Sequence, residues 1–388
     1  MEVLRPPAAL AATALLALAI AGCTTEYPIA TEPAPTAISE DDTLSAFAPD
    51  GVKIGSAVAG GGHHEAQTYP DPFSGDEQYR SVLVAEFTSL TPENQLKWEY
   101  LRPTQDEYNF DAADAIIEFA QENGQDVRGH TLLWHSQNPG WLEQGNFTAD
   151  ELREILQDHI TTVVSRYAGK IQQWDVANEI FDDAGGLRER DNIWIRELGP
   201  EIVADAFRWA HEADPDALLF VNDYNVEQIG AKSDAYYTLV QDLLAQGVPV
   251  HGFGVQGHLS IQYPAPSMQA NLERFADLGL QVAITELDVR VPVSGDSRPE
   301  QSAIDTQAEY YSTMLEACLA VDACTSFTLW GLPDKYSWVP HFFSGEGAAT
   351  VLWDDFSRKP AYCDLQELLA EKSGTTADAA FTSRVCAA

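Results

Sequence analysis

From residue 52 onward, short runs of consecutive apolar residues alternate with longer stretches whose apolar positions recur every three to four residues. A continuous short run is the pattern of a strand covered on both faces, and the longer recurrence is that of a helix packed along one side. Eight strand-like runs stand out, at residues 52–58, 86–90, 127–133, 171–177, 217–222, 252–256, 281–287 and 325–330. Helical periodicity occupies 111–123, 148–167, 199–213, 233–247, 267–278 and 302–319. Strands alternating with helices build a parallel sheet, and eight such units close it. The expected fold class is therefore α/β, a single (β/α)8 TIM barrel over residues 51–372.

In that architecture the open face is formed by the loops that follow the strands, so reacting groups are sought at the strand ends. Polar and aromatic residues gather there. The third run leads into Gly129-His130-Thr131-Leu132-Leu133-Trp134-His135, the fourth into Trp174-Asp175-Val176-Ala177-Asn178-Glu179 and the fifth into Asn222-Asp223-Tyr224-Asn225. The sixth gives Gln256-Gly257-His258, the seventh Thr285-Glu286-Leu287-Asp288 and the eighth Leu329-Trp330-Gly331. One Glu at a strand end is as readily an ion-pair partner as a catalyst. Glu179 and Glu286 together are what cleavage of a glycosidic bond requires, an acid for the leaving oxygen and a second group facing the anomeric carbon. Asn178 can place its amide over a sugar 2-hydroxyl. His258 is a natural partner for Glu286, and Asp288 for His258, which it would hold in one tautomer.

The stretches 90–98, 130–141, 175–179, 222–225, 256–259 and 285–288 occur in an order that resembles glycoside hydrolase family 10, the xylanases, across nearly all of residues 52–370. The resemblance implies a retaining endo-1,4-β-xylanase in which Glu179 is the acid/base and Glu286 the nucleophile of a covalent glycosyl-enzyme. It implies further that Glu93, Asn94 and Lys97 bind sugar hydroxyls on the glycone side, and that His130 and Trp134 line the subsite beside the cut. Gln256 belongs to the same substrate-binding set, Trp330 and Trp338 close over it, and Tyr224 lies on the leaving-group side. Departures are few: Ala177 stands where the family commonly has Val, Gln95-Leu96 where Met usually precedes the Lys, and Trp353-Asp354 replace residues of the closing segment around Trp338. Nine Trp residues cannot all touch a ligand, so Trp98, Trp194 and Trp209 are assigned to packing. His63, His64, His159 and His211 are taken as ordinary core or surface residues, and His135 as a supporting neighbour of Trp134.

Sixty acidic residues against 22 basic ones give a net charge of −38, which repels nucleic-acid phosphates and anionic lipid while leaving a neutral polymer acceptable. Nucleic acid is thus excluded as a partner, and xylan and xylo-oligosaccharides are the expected ones, bound by a monomer. Residues 8–20 are almost pure Ala and Leu, too short to span a bilayer but suited to an export signal. The sequence Ile20-Ala21-Gly22-Cys23 resembles a bacterial lipoprotein signal. The expectation is a signal over 1–22, an acylated Cys23 as the sole membrane contact, and a disordered Thr/Pro/acidic linker to residue 50. At ~3.1 Å per residue such a linker reaches on the order of 80 Å from a cell-envelope membrane. In an oxidising compartment the other four cysteines favour disulfides over metal ligation. Cys318 with Cys324 and Cys363 with Cys386 are the sequence-local pairings, the second tying down the tail 373–388, but the sequence leaves the connectivity open; the resemblance implies the first pair. No metal-ligand spacing of the HExxH kind occurs and two-carboxylate chemistry needs no metal, so neither metal nor cofactor is expected. Two rivals remain: a β-glucan-cleaving relative of the same barrel clan, and a non-catalytic carbohydrate-binding lipoprotein.

Overall fold

The computed structural model describes residues 43–294 and 298–374. The barrel strands are β1 (Lys53–Val58), β2 (Ser89–Pro92), β3 (Asp126–Leu133), β4 (Gln173–Asn178), β5 (Leu218–Asp223), β6 (Gly252–Val255), β8 (Gln281–Pro292) and β9 (Cys324–Leu329), with β7 (His258–Ser260) and β10 (Glu346–Gly347) added at the rim. Each barrel strand pairs in parallel with the next, β6 joining β8, and β9 returns to β1, so the ring is closed. Outside it run α1 (Glu77–Glu86), α2 (Asp111–Glu122), α3 (Ala149–Arg166), α4 (Ile202–Ala213), α5 (Ala231–Ala245), α6 (Gln269–Ala276), α7 (Gln301–Leu319) and α8 (Pro360–Lys372). Strand residues are buried almost without interruption because helices cover one face and the barrel interior the other. The helix α3 begins where the sequence supplies a cap: Thr148 and Glu151 form a reciprocal capping box.

The structure moves three boundaries. Residues 86–90 are not one strand: Glu86 ends α1, and β2 starts at Ser89. Glu86 is buried there because it accepts from the Leu44 backbone N–H (2.9 Å) and the Tyr362 hydroxyl (2.7 Å). For the same reason residues 43–50 are not linker. Leu44 and Phe47 are buried in the core, so this segment packs on the barrel beside α1 and α8. The third shift is the pair of helices α1 and α8, which fall outside the expected helical stretches. In α1 only Tyr79, Val82, Leu83 and Glu86 face inward among polar residues, a weak periodic signal. Cys318 and Cys324 form a disulfide between the end of α7 and the start of β9. Cys23, the export segment and Cys386 lie outside the described residues.

Inside the barrel, polar layers underlie the site. Arg128 on β3 and Asp175 on β4 form a buried ion pair, and Thr285 on β8 donates to Asn222 on β5 (2.7 Å). Gly129 lets these strands close up: a Cβ there would stand 2.3 Å from the Trp174 ring.

Candidate active site

Glu286 projects from β8 into the mouth of the barrel, where it is almost fully buried. Its Oε1 accepts from Asn222 Nδ2 (2.8 Å), and its Oε2 lies 3.2 Å from His258 Nε2. On the far side of the ring, His258 Nδ1 is 3.1 Å from Asp288 Oδ2, which also accepts from the Trp338 indole N–H (2.6 Å). Burial alone would lower the His258 pKa, but Asp288 and Glu286 overcome it and push the ring up to about 10. His258 is therefore an imidazolium at neutral pH, with both nitrogens protonated, rather than a neutral ring fixed in one tautomer by Asp288. Glu286 shows the complementary result. Burial pushes its pKa up, yet His130 and His258 hold it below the usual carboxylate range. His130 Nδ1 is 3.8 Å from Glu286 and 3.0 Å from Asp175, so the β3 histidine links the nucleophile candidate to the buried Arg128–Asp175 pair.

Glu179 follows β4 directly, with its backbone in the left-handed region at φ +52°. For a non-glycine residue this costs about 1–2 kcal/mol. The surroundings enforce it: the Glu179 N–H donates to the Asn222 carbonyl (3.0 Å), and the next N–H, of Ile180, donates to the Tyr236 hydroxyl (3.0 Å). Tyr236 in turn donates to buried Asp223 (2.7 Å), whose pKa burial pushes up to about 8 against the pull of Lys232 at 2.8 Å. The carboxyl group meets different partners from those of Glu286. Gln256 Nε2 donates to Oε1 (3.0 Å), and His135 Nδ1 lies 3.7 Å from Oε2. Burial lowers the His135 pKa, with Glu179 opposing, so this ring is neutral.

Between the two acids stands Asn178. In one orientation its Oδ1 accepts from Asn222 Nδ2 (2.9 Å) and Gln256 Nε2 (3.3 Å) while Nδ2 donates to Glu179 (3.3 Å). Turned over, it accepts from Trp134 Nε1 (3.1 Å) and donates to the Asn222 carbonyl (3.2 Å). The first satisfies three contacts against two and directs Nδ2 towards Glu179, although it then also faces the donor N–H of the Trp134 indole. Asn222 thereby ties Asn178 to Glu286 through one amide.

Glu93, Asn94, Lys97, His130, Trp134, Glu179, Tyr224, Gln256, His258, Glu286, Trp330 and Trp338 all line one cleft of ≈590 Å³. Lys97 donates to Asn94 (3.1 Å) and Gln137 (2.8 Å), and its ammonium stands 4.8 Å over the Trp134 ring. Burial pulls the Lys97 pKa down against the attraction of Glu93, Glu286 and Glu179. At the other end Tyr224 is clamped, accepting from Arg188 Nη2 (2.6 Å) with Lys232 Nζ 3.5 Å above its ring. Asn178 and Asp288 sit behind the cleft wall, fully buried. Trp98 and Trp194 pack in the core as expected, Trp98 stacked on His159 at 3.6 Å.

Three contributors were not singled out from the sequence. Asn222 bridges both acids, Gln137 anchors Lys97, and the Arg128–Asp175 pair supports His130. A signal existed for Asn222, since a polar residue ends the fifth apolar run just as Asn178 ends the fourth. Gln137 follows the third strand in a loop of positive φ, which no periodicity marks.

The charge on His258 gives a pH prediction. As a nucleophile Glu286 would have to be ionised, and its lowered pKa keeps it so as pH falls. In His258→Asn the imidazolium is gone, Glu286 takes up its proton at higher pH, and the acidic limb of kcat/KM should move upward by roughly one unit. A pH profile on an aryl xylobioside reads this directly; an unmoved limb would mean that His258 does not set the charge state of Glu286.

The closed (β/α)8 barrel thus carries a carboxylate-bearing, aromatic-walled cleft at its strand ends, the face on which barrel enzymes place their reacting groups. The model of glycosyl hydrolase family 10 matches residues 45–368, and the chain belongs to that family. It is 45% identical over 299 residues to endo-1,4-beta-xylanase B of Thermotoga neapolitana, an alignment covering 76% of this chain and 84% of that protein. With the endo-1,4-beta-xylanase of Agaricus bisporus it shares 40% identity over 310 residues, covering 79% and 91%. Among solved structures, native xylanase 10B of Thermotoga maritima superposes with a TM-score of 0.78 at 42% identity, covering 86% of this chain and 99% of that one. Xylanase 10B of Thermotoga petrophila RKU-1, in complex with xylobiose, gives 0.79 at 42% identity, covering 85% and 98%.

Proposed function

We propose that this chain is a retaining endo-1,4-β-xylanase, with Glu286 as nucleophile and Glu179 as acid and then base. The observation that carries the division of labour is the contrast between the two carboxyl environments. Both accept from amides, Asn222 for Glu286 and Gln256 for Glu179, but only Glu286 also faces the charged His258 ring, which favours its ionised form.

In the first step a Glu286 oxygen bonds to the anomeric carbon as the glycosidic oxygen departs with the Glu179 proton. The negative charge of Glu286 disappears in the ester, so Glu179, now a carboxylate, can take a proton from water as that water attacks the same carbon. Two inversions at one centre retain configuration. Lys97, Asn94 and Glu93 supply the glycone side with hydrogen-bonding groups, and Tyr224 the leaving-group side. Trp330 and Trp338 crowd the position of the hydroxymethyl group that glucose has and xylose lacks.

Product analysis on xylan and on cellulose tests the reading. Xylo-oligosaccharides of mixed length should appear early, with little release from cellulose. Equal turnover of cellulose would transfer the assignment to β-glucan, and binding without cleavage would leave only a carbohydrate-binding protein.

Export and acylation at Cys23 belong to the same proposal, supported by the apolar segment 8–20 and the Ile20 to Cys23 sequence. Cys23→Ala cells should lose xylanase activity from the membrane fraction. Activity that stayed there in full would remove the anchor.

A further inference from the structure

Beyond the glycone end of the cleft, the turn Gly62–Ala66 presents two consecutive histidines to Glu93. His64 Nε2 lies 3.0 Å from Glu93 Oε2, and His63 Nδ1 lies 3.8 Å from Glu93 Oε1. The two rings are 3.9 Å apart, and one ligand atom from each of the three residues lies within 4.8 Å of the other two. His63 in particular is unexplained by folding alone: its side chain is only 4% exposed, yet Nε2 has no hydrogen-bond partner and Nδ1 is beyond hydrogen-bond distance of Glu93. Nδ1 is the nitrogen that faces Glu93, and its lone pair can be offered to a cation held between the two residues.

The geometry points to a divalent transition-metal site of the zinc class, formed by His63, His64 and Glu93 at the glycone end of the cleft. Two imidazoles and one carboxylate with an open fourth position form a recurrent zinc donor set. Bond lengths of about 2.0–2.2 Å place tetrahedral ligand atoms roughly 3.3–3.5 Å apart. With one donor atom from each residue the set spans up to 4.8 Å, wider than that value, so the side chains close it by drawing in around the ion.

Proton balance is also provided for. His64 Nδ1 is 2.9 Å from the Tyr69 hydroxyl. When the metal takes the Nε2 lone pair, the ring proton moves to Nδ1 and is donated to Tyr69, which then orients the ligand from behind. The His341 ring, 5.6 Å from that of His63 and exposed, or a water, can fill the fourth position. Lys97, which acts electrostatically on both His63 and Glu93, opposes the cation.

If Glu93 also binds a xylose hydroxyl, as the proposed function has it, bound metal and substrate compete. That consequence rests on the functional reading; the site itself does not. The full chain, stripped with chelator, should bind one Zn2+ in a calorimetric titration, and Co2+ in its place should give visible absorption of a low-symmetry, tetrahedral kind. His63→Ala and His64→Ala should each weaken Zn2+ by at least about tenfold, since each removes one of three protein ligands. His130, Asp175 and Glu286 also lie close enough to hold an ion. Undiminished stoichiometric zinc binding in His63→Ala would place the cation there or elsewhere and overturn the proposal. So would wild-type binding no tighter for Zn2+ than for Ca2+, the behaviour of a diffuse acidic surface. In kinetics, Zn2+ should raise KM for xylo-oligosaccharide with kcat unchanged. Zinc bound through His63 with KM unmoved would leave the site standing and overturn the competition, together with the glycone role of Glu93.

Discussion

Glu286→Ala should lower xylan turnover by on the order of 10⁵-fold, the scale seen when a covalent nucleophile is removed. Activated aryl xylosides should fare no better, because a good leaving group does not replace the missing attack. The loss should occur without unfolding. Glu286 is held by two side chains, Asn222 and His258, and His258 keeps Asp288 as its second partner when the carboxylate is removed. The space left beside a positively charged His258 suits a small anion, so azide should restore turnover of an aryl xyloside by attacking from that face. A single displacement inverts the centre, and NMR of the product should show the inverted glycosyl azide. Retained configuration in this mutant would mean that Glu286 is not the nucleophile.

How far the sequence alone reaches depends on whether a residue's role is written in its neighbours along the chain or in its neighbours across the barrel. Strands such as β5 and β6 were legible because nearly every strand residue is buried, leaving a short, almost continuous apolar run. Both acids were legible because the strand ends of a barrel feed its open face, and Glu179 and Glu286 occur there together among aromatic and amide residues. Segment 43–50 was not, since its Thr, Pro and acidic flanks resemble a linker while two residues, Leu44 and Phe47, decide its fate by reaching the core. Glu86 was misplaced for a related reason. Its burial depends on Leu44 and Tyr362, respectively 42 and 276 residues away in sequence.

The same distinction separates the parts of the site. Pairs adjacent in sequence, such as Asn178 with Glu179, could be read directly. The protonation of His258 could not, because it is set jointly by Asp288, held in register opposite it on the neighbouring strand, and by Glu286. A single tautomer was the natural expectation for one carboxylate partner; two carboxylates make the ring a cation. Likewise His63 and His64 have no metal-ligand spacing with Glu93 along the chain, and only the return of β2 beside β1 brings the three together.

Glu179→Ala should separate the two chemical steps by leaving group. Xylan turnover should fall by roughly 10³–10⁵-fold, because a sugar alkoxide cannot leave without a proton. A dinitrophenyl xylobioside needs no such proton, so Glu286 should still form the covalent intermediate and release one equivalent of phenol in a burst. Its hydrolysis should then be slow, since no base activates water, and the steady state should show a depressed KM as the intermediate accumulates. Azide needs no general base. In this mutant it should speed the second step and give a glycosyl azide of retained configuration, the opposite of the Glu286→Ala product, because Glu286 has already inverted the centre once. The substitution removes the acceptor of the Gln256 and Asn178 amides but leaves Asn222 bonded to Glu286, so the nucleophile keeps its position. Stopped-flow release of the phenol and NMR of the azide adduct provide the readouts. Absence of a burst would mean that Glu179 serves the first step even for an activated leaving group, and an inverted azide product would exchange the roles of the two acids.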